Sequence, residues 1–445
     1  MALTGNRTFV GIGFGPIQAG LFLYEAFRSG GFRRLVVGEV LADVVSAVRE
    51  AQGQYAVNIA HSDGIEIAQV GPVEIENPAV EQDRRRIIEA LADAAEIATA
   101  VPSVQFYVSS GPGSIHRLLA DGLRKKAAES GPRAVVYAAE NHNHAAEILE
   151  TAVFEEIPAR ERDAVRARVR FLNTVIGKMS GVVSDPQEMQ ASALAAVTPH
   201  AQRAFLVEVF NRILISKVSF QEASGEPVFQ RGITVFEEKD DLLPFEEAKL
   251  YGHNATHALA AYVGAIRGVE RIADLCQFPD ILRFLRAAFI EESGEALIRS
   301  HHGKDHLFTP AGYADYADDL LVRMTNPYLR DTVERVGRDP QRKLDWDDRL
   351  VGTMRVALKQ NLIPRRYALG AAAALARLDA SFPRSEAPVG TWLEPLWGEA
   401  PRERHDKDAI FDLIANGRRR LKRWCESGFQ DLESFFQETT DSLAL

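Results

Sequence analysis

The chain has 445 residues, of which 46% are hydrophobic and 26% charged, a composition typical of a globular protein with two or three domains. Its formal net charge of -10 argues against nonspecific nucleic-acid binding, and no apolar run is long enough to cross a bilayer, so we expect neither nucleic acid nor a membrane as partner. The only cysteines, Cys276 and Cys425, exclude a disulfide framework and a thiolate zinc site, and they favour a cytoplasmic location.

The first predicted strand, Thr8 to Ile12, leads into the run Gly11-Ile-Gly-Phe-Gly-Pro-Ile-Gln-Ala-Gly20 and a predicted helix, Ile17 to Arg28. A strand, a tight glycine turn and a helix N-terminus together form a cradle for the pyrophosphate of a dinucleotide. The alternative is a glycine-rich turn that binds no nucleotide. The residues of this run that we expect to contact the cofactor are Gly13, Gly15, Pro16, Ile17 and Gln18.

A second predicted strand, Leu35 to Val37, is followed by Glu39, which lies 24 residues after Gly15. An acidic side chain near this distance binds the adenosine ribose hydroxyls, and its charge repels the additional phosphate of NADP. No Arg or Lys follows Glu39 within the next several residues. NAD is therefore the expected cofactor.

The following elements alternate in the same way, which predicts a doubly wound parallel sheet of the Rossmann type. Thr99 and Val101 end one predicted strand at the sheet edge where such folds bind ligands, so both are candidate cofactor contacts. An ordinary exit into a loop is the alternative. The predicted strands here are Glu96 to Val101, Ala134 to Ala139 and Arg170 to Ile176, and the predicted helix is Ile115 to Ser130.

The pattern changes near Leu242, where β-rich runs give way to apolar residues at helical spacing. Just before the change, Phe229 to Phe236 could be a strand that completes or flanks the first domain. We therefore predict an α/β fold with a Rossmann-like dinucleotide-binding domain over residues 1–240 and a mainly α-helical substrate-binding domain over 241–445. Predicted helices of the second domain are Ala258 to Arg267, Ile281 to Glu292 and Ala368 to Leu378.

The segment from Lys249 to His257 carries an amine, a carboxamide and an imidazole, because Asn254 lies between these two residues. On a helix that turns about 100° per residue, the three side chains fall within an arc of roughly 140° and can line one pocket. A metal-free alcohol dehydrogenase needs a base for the hydroxyl proton and donors that hold the oxygen as it becomes a carbonyl. A solvated lysine on a helix surface is the alternative.

This motif has the form Lys-x4-Asn-x2-His, and in it the chain resembles the polyol-specific long-chain dehydrogenases. The segments Ala288-Phe-Ile-Glu-Glu-Ser-Gly294 and Asn326 to Leu344 resemble the mannitol-1-phosphate 5-dehydrogenase branch of that family. The resemblance implies NAD-dependent hydride transfer between a hexitol phosphate, mannitol 1-phosphate, and a ketose phosphate, fructose 6-phosphate. It departs at Gln18, where the family usually has glycine.

The resemblance also implies roles for particular residues. Lys249 would be the general base, which requires burial or positive neighbours to lower its pKa of about 10.4 by about two to three. Asn254 and His257 would donate hydrogen bonds to the hydroxyl oxygens, and Thr99 to Val101 would approach the nicotinamide. The pair Glu140-Asn141 matches a family pair, so Asn141 is a further candidate donor, with an N-cap of the following helix as the alternative.

An anionic substrate needs local cations, because the whole chain is acidic. Arg335, Arg338 and Arg342 recur at i, i+3 and i+7 with Lys343 beside them, which predicts one cationic helix face before any interruption by Pro340. A solvated face or a salt-bridge network is the alternative. Two histidine-rich runs, Asn141 to His144 and His301 to His306, lack the spacing of a zinc site, so no metal is expected.

Two other functions stay open from sequence. An uncharged polyol or a sugar acid of the mannonate or altronate type is a possible substrate of the same superfamily. A nucleotide-binding sensor or assembly protein without turnover is the other, and the substitution at Gln18 is its main support. We expect a monomer with a small polyol or sugar-phosphate substrate.

Overall fold

A computed structural model describes residues 6–220, 229–398 and 404–441. The chain forms two compact units, Met1–Leu243 and Pro244–Leu445. The first unit contains both β-sheets. Among the described residues, no helix combines the length and the apolar composition that a membrane span requires.

The larger sheet of the first unit has eight strands in the order β12-β11-β8-β7-β6-β1-β2-β5. Its six strands from β8 to β5 are all parallel, and β11 joins β8 in antiparallel pairing. The central strands are almost wholly buried, because apolar clusters cover both faces. The strands of this sheet are β1 Arg7–Ile12, β2 Phe32–Gly38, β5 Glu74–Glu76, β6 Ala94–Thr99, β7 Ala134–Ala138, β8 Val169–Val175, β11 Leu214–Ser216 and β12 Glu237–Lys239.

Helices separate the parallel strands, as a doubly wound fold requires. The predicted helix Ile17 to Arg28 is a π-helix, Gln18–Leu23, that continues into an α-helix. All five strands and both helices predicted for this region are confirmed to within a few residues. The α-helices of the first unit are α1 Tyr24–Ser29, α2 Ala42–Glu50, α3 Glu81–Asp93, α4 Ile115–Ala128, α5 Ala145–Glu156, α6 Ala159–Arg166 and α7 Pro186–Ala191, with a 3-10 helix at Val104–Tyr107.

A second, four-stranded sheet was not predicted. Its order is β4-β3-β10-β9, with β3 parallel to β10 and the outer pairs antiparallel. Buried Asn58 on β3 donates to the carbonyls of Phe205 and Ala195, at 3.0 and 2.9 Å, and so attaches the later strand to the earlier one. The strands are β3 Tyr55–Ala60, β4 Ile65–Val70, β9 Ser180–Val183 and β10 Ala204–Glu208.

The prediction of a strand over Phe229 to Phe236 is wrong. This segment is irregular, and the strand β12 begins only after it. The segment is fixed by side chains instead, because Ile233 and Phe236 are buried in the core and the amide of Gly232 donates to the carboxylate of Glu96. Its apolar residues therefore serve the core without strand pairing.

The second unit consists of helices over its described residues, in agreement with the prediction. Two of them are π-helices, Ala288–Gly294 and Ala248–Asn254, each continuous with an α-helix. Its α-helices are α8 Leu243–Glu247, α9 Ala255–Arg267, α10 Pro279–Ala287, α11 Glu295–His301, α12 Pro310–Met324, α13 Val333–Gly337, α14 Pro340–Lys343, α15 Arg349–Lys359, α16 Arg365–Leu378, α17 Gly390–Trp397, α18 Arg404–Glu426 and α19 Leu432–Asp441. The 3-10 helices are Ile272–Gln277, His306–Phe308 and Phe382–Arg384.

Candidate active site

The glycine turn after β1 is built for close backbone approach. Gly13 has a φ of +85°, and its amide donates to the carbonyl of Gly38 at 2.8 Å. A Cβ on Gly13 would lie 2.8 Å from the carbonyl oxygen of Ala100, so a side chain is excluded there. At Gly15 a Cβ would meet nothing within 4 Å, which leaves open space beside the turn. This is the cradle that a pyrophosphate needs.

Glu39 directly follows β2 and faces the same turn. Its carboxylate accepts hydrogen bonds from the amides of Phe14 and Leu41, at 2.8 and 2.9 Å, and the residue is 8% exposed. Each carboxylate oxygen can accept more than one hydrogen bond. Glu39 can therefore hold the turn and still accept from ribose hydroxyls.

A cavity of ≈ 660 Å³ opens beside the turn and Glu39. Six of the eight predicted cofactor contacts line it: Gly13, Gly15, Pro16, Ile17, Glu39 and Val101. Exposed apolar side chains form another part of the wall, as a flat adenine ring requires. They are Val40, Leu41, Phe106, Val108 and Val182.

Gln18 lies beneath the turn and does not line this cavity. The residue is fully buried, and neither its Nε2 nor its Oε1 has a hydrogen-bond partner. A Cβ on Gly11 would lie only 2.0 Å from the Gln18 Nε2, so the carboxamide occupies the space that the glycine leaves. A glutamine in place of the family's usual glycine therefore affects the packing of the helix against the strand. The predicted contact of Gln18 with the cofactor is not found, because the side chain lies outside the cavity.

Thr99 is also behind the cavity wall. The residue is fully buried, and its hydroxyl donates to the carboxylate of Glu140 at 2.9 Å. Asn141 is exposed in the turn after β7. It is not the N-cap of α5, which is His144, so the alternative role considered from sequence is wrong.

The second unit brings Lys249, Asn254 and His257 onto one helical run. Lys249 and Asn254 lie in the π-helix Ala248–Asn254, whose i to i+5 hydrogen bonding stacks residues five apart. His257 follows in α9, three residues after Asn254, which is the spacing of neighbours on an α-helix. All three are partly exposed. The junction of the two helix types therefore places the predicted catalytic side chains on one face.

Burial and nearby positive charge lower the pKa values of Lys249 and His257. Burial and, second, the positive charge of the Arg349 guanidinium lower the pKa of Lys249 to about 8, against a smaller opposing effect of the Glu246 carboxylate. Burial has the largest effect on His257 and, together with the positive charges of Arg335 and Arg349, lowers its pKa to about 3. His257 is thus neutral near physiological pH, and Lys249 can lose its proton there.

The imidazole of His257 has an unused ring nitrogen. Its Nε2 is buried without a hydrogen-bond partner, and the nearest carboxylate oxygen, Oδ2 of Asp331, is 3.7 Å away. Because the ring is neutral, this contact is not an ion pair. A ligand hydroxyl would satisfy the nitrogen.

The three predicted arginines do not form one helical face. Arg335 lies in α13, Arg338 follows the end of that helix, and Arg342 lies in α14. Between the helices Asp339 adopts a left-handed conformation with a φ of +56°, which breaks the helix before Pro340. All three arginines are exposed, and Arg335 pairs with Asp331.

Two more cations of the second unit were not among the three predicted arginines, although Lys343 directly follows Arg342 in the sequence. Lys343 is buried, and its ammonium donates to the carbonyl of Arg338. Arg349 begins α15, is only 12% exposed in its side chain and bonds Asp348 at 2.8 Å. Both charges lower the pKa of His257. No sequence spacing connects Arg349 with a motif 100 residues earlier.

Over the described residues, no group of three or more His, Cys, Asp or Glu side chains is arranged to hold a metal ion. His301, from one of the histidine-rich runs, instead ends α11 with its Nε2 2.6 Å from Oε2 of Glu247.

Comparison with known families accounts for both units. The sequence model of the Mannitol dehydrogenase Rossmann domain matches residues 7–226, and that of the Mannitol dehydrogenase C-terminal domain matches residues 241–389. The chain belongs to the mannitol dehydrogenase family. It is a polyol dehydrogenase whose Rossmann domain contains the cavity described above, and the predicted family, enzyme class, α/β fold and NAD cofactor are confirmed.

Relatives of this family member include a mannitol-1-phosphate 5-dehydrogenase of Bacillus velezensis. The two sequences are 30% identical over 342 residues, which are 77% of this chain and 80% of the relative. Among solved structures, a D-sorbitol dehydrogenase matches with a TM-score of 0.73 and 14% identity over 96% of this chain and 95% of its own. A Pseudomonas fluorescens mannitol 2-dehydrogenase matches with a TM-score of 0.65 and 15% identity over 99% and 96%. These two likenesses support the fold.

Proposed function

We propose that this mannitol dehydrogenase family member transfers a hydride between a hexitol phosphate, such as mannitol 1-phosphate, and a ketose phosphate, such as fructose 6-phosphate, with NAD and without a metal. The observation that carries the proposal is the shielded amine of Lys249, whose pKa is lowered to about 8, on one helical face with Asn254 and His257. The phosphorylated substrate class rests on the Bacillus velezensis relative.

In the oxidation direction, the neutral amine of Lys249 accepts the proton of the substrate hydroxyl. NAD⁺, held by the glycine turn and Glu39, would supply the acceptor for the hydride on the carbon that bears this hydroxyl. Oxidation then leaves the ketone, with the hydroxyl proton on Lys249 as its ammonium. Asn254 and His257 donate hydrogen bonds to the oxygen as its C–O bond becomes a carbonyl, and Asn141 is a further candidate donor. Loss of one such donor raises the barrier by on the order of 3 kcal/mol.

A phosphate group on the substrate needs cations in an acidic protein. In the second unit, Arg335, Lys343 and Arg349 all act electrostatically on His257, so positive charge is concentrated beside the proposed catalytic face. We assign the phosphate contacts to Arg335, Arg338 and Arg342, with the less exposed Arg349 and Lys343 as additional positive charges. The exposure of the three arginines leaves their guanidinium groups accessible to an anion.

A substrate panel tests this proposal. The panel contains mannitol 1-phosphate, sorbitol 6-phosphate, mannitol, sorbitol and a sugar acid, each with NAD and NADP, and fructose 6-phosphate and fructose with NADH. We expect kcat/KM to be highest for a phosphorylated hexitol with NAD. Equal kcat/KM with and without the phosphate, or a preference for the free polyol or the sugar acid, would contradict the substrate assignment.

A pair of matched variants tests the phosphate contact. Arg335→Met removes a guanidinium paired with Asp331, whereas Arg283→Met removes one paired with Asp431 elsewhere in the same unit. We expect Arg335→Met to raise KM for the phosphorylated substrate and to leave KM for the free polyol almost unchanged, because the free polyol has no phosphate for Arg335 to contact. Arg283→Met should change neither constant. If Arg335→Met and Arg283→Met have the same KM for the phosphorylated substrate, Arg335 does not contact the phosphate.

A further inference from the structure

The carboxylate of Glu140 is a buried acceptor at the end of β7. The residue is 4% exposed, and three donors converge on it: the Thr99 hydroxyl at 2.9 Å, the Val101 amide at 3.0 Å and the Tyr107 hydroxyl. All three groups donate, so the ionised, acceptor-only form of the carboxyl fits them. The proposed catalytic steps do not use this charge.

The three donors come from the segment that forms part of the cofactor cavity. Thr99 ends β6, Val101 is on the cavity wall, and Tyr107 ends the 3-10 helix Val104–Tyr107. The same strand ends are also joined through their backbones, because the amide of Ala139 donates to the carbonyl of Thr99 at 3.0 Å. One carboxylate therefore ties the ends of two neighbouring strands to the loop that follows the first of them.

We propose that Glu140 is a positioning residue for the nicotinamide half of the cofactor. Through Thr99 and Val101 it fixes the cavity wall at the carboxyl end of β6, and through its own backbone it orients the adjacent Asn141. It does not touch the reacting atoms itself. The inference rests on NAD as cofactor and does not depend on which polyol is the substrate.

The chain supplies a matched control in Glu96. This second buried glutamate also accepts from a tyrosine, the Tyr137 hydroxyl at 2.8 Å, and from a backbone amide, that of Gly232. However, Glu96 lies near the start of β6 and is not part of the cavity wall. Its loss should perturb the core of the first unit as much as the loss of Glu140, without moving the strand end.

The experiment compares Glu140→Gln and Tyr107→Phe with the controls Glu96→Gln and Tyr137→Phe. We expect Glu140→Gln to lower kcat by between about tenfold and a hundredfold, because small displacements of bound reactants cost this much. The primary deuterium isotope effect on kcat should rise as hydride transfer becomes slower than product release. NADH should still bind, with a changed fluorescence emission maximum, which is a readout that needs no substrate.

The control variants should lower the melting temperature without changing the isotope effect or the NADH emission. If Glu140→Gln and Tyr107→Phe behave like these controls, Glu140 is only structural and the proposal is wrong. If Glu140→Gln does not fold, Tyr107→Phe, which removes one of the three donors and keeps the carboxylate, decides in the same way. A failure of the substrate panel would leave the emission test intact, so the two proposals can fail separately.

Discussion

The amine of Lys249 can serve as a base near neutral pH only because its surroundings oppose its charge. Burial removes part of the hydration that stabilises an ammonium, and the Arg349 guanidinium adds repulsion. The neighbouring imidazole of His257 is neutral for the same reasons and so remains available as a hydrogen-bond partner. The residues around the motif thus determine its chemistry.

This dependence predicts the pH profile. In the proposed mechanism alcohol oxidation needs the neutral amine, so its rate should rise with pH through about 8, the pKa of Lys249. Arg349→Gln removes a charge that lowers this pKa, and the rise should then shift to higher pH. Arg355→Gln, on the same helix but paired with Asp347, is the control and should not shift it. An unchanged profile in Arg349→Gln would show that its charge does not act on the base.

The sequence revealed the Lys-x4-Asn-x2-His motif but not the charge of Arg349, which lowers the pKa of Lys249. The Lys249, Asn254 and His257 positions follow from local spacing, which a helix preserves. Arg349 reaches the same region from α15 through tertiary packing, which no local pattern contains. The predicted arginine face failed at one residue, Asp339, whose left-handed conformation ends the periodicity that the prediction assumed.

Among the elements, the π-helix Ala248–Asn254 is held by close packing at Gly252. A Cβ on this glycine would lie 2.6 Å from the hydroxyl oxygen of Tyr313, whose ring is fully buried. The second π-helix, Ala288–Gly294, meets the same ring, since a Cβ on Gly294 would lie 2.7 Å from Tyr313 Cδ1. Glycines therefore let both π-helices approach one tyrosine, and the first of them carries Lys249.

A double substitution tests this packing. Gly252→Ala should destabilise the protein by about 1–3 kcal/mol, as overpacking does, and should lower kcat by displacing Lys249. Adding Tyr313→Phe removes the clashing hydroxyl and should restore much of both losses. Gly264→Ala in α9 is the control, because its nearest contact is a Val333 methyl at 3.3 Å. The measurements are thermal unfolding and kcat. If neither stability nor kcat recovers in the double variant, the clash with Tyr313 is not the cause of the losses.

The elements differ in how far sequence reveals them. The central parallel strands, covered on both faces, are continuous apolar runs, and these were predicted to within a few residues, whereas the short edge strand β5 was not predicted. The second sheet was missed because its pairing is distant in sequence, with Leu206 opposite Asn58, and because a buried asparagine interrupts the apolar run of β3. The π-helices were predicted as ordinary helices, since apolar spacing does not distinguish one extra residue in a turn.

For the whole molecule, the proposed chemistry needs no metal, because an amine base and neutral donors supply proton transfer and oxygen stabilisation. Activity should therefore survive dialysis against EDTA, and added zinc or magnesium should not increase it. The measurement is kcat/KM before and after chelation, with the metal content of the sample determined in parallel. A loss on chelation that zinc reverses would contradict the lysine mechanism.

We also propose that the chain acts as a monomer. Light scattering coupled to gel filtration should then give a mass near 49.2 kDa at all concentrations tested, and specific activity should not depend on enzyme concentration. A stable dimer mass would show that a second copy contributes to the assembly. This prediction is independent of the substrate.

The most direct test of the central claim is the activity of Lys249→Ala with and without an added primary amine. We predict that alcohol oxidation falls by about a hundredfold to ten-thousandfold, the usual contribution of a general base, while NADH binding stays intact. Methylamine should restore part of the rate in this variant and none in the wild type. Full turnover by Lys249→Ala on the best substrate would contradict the assignment of this amine as the base.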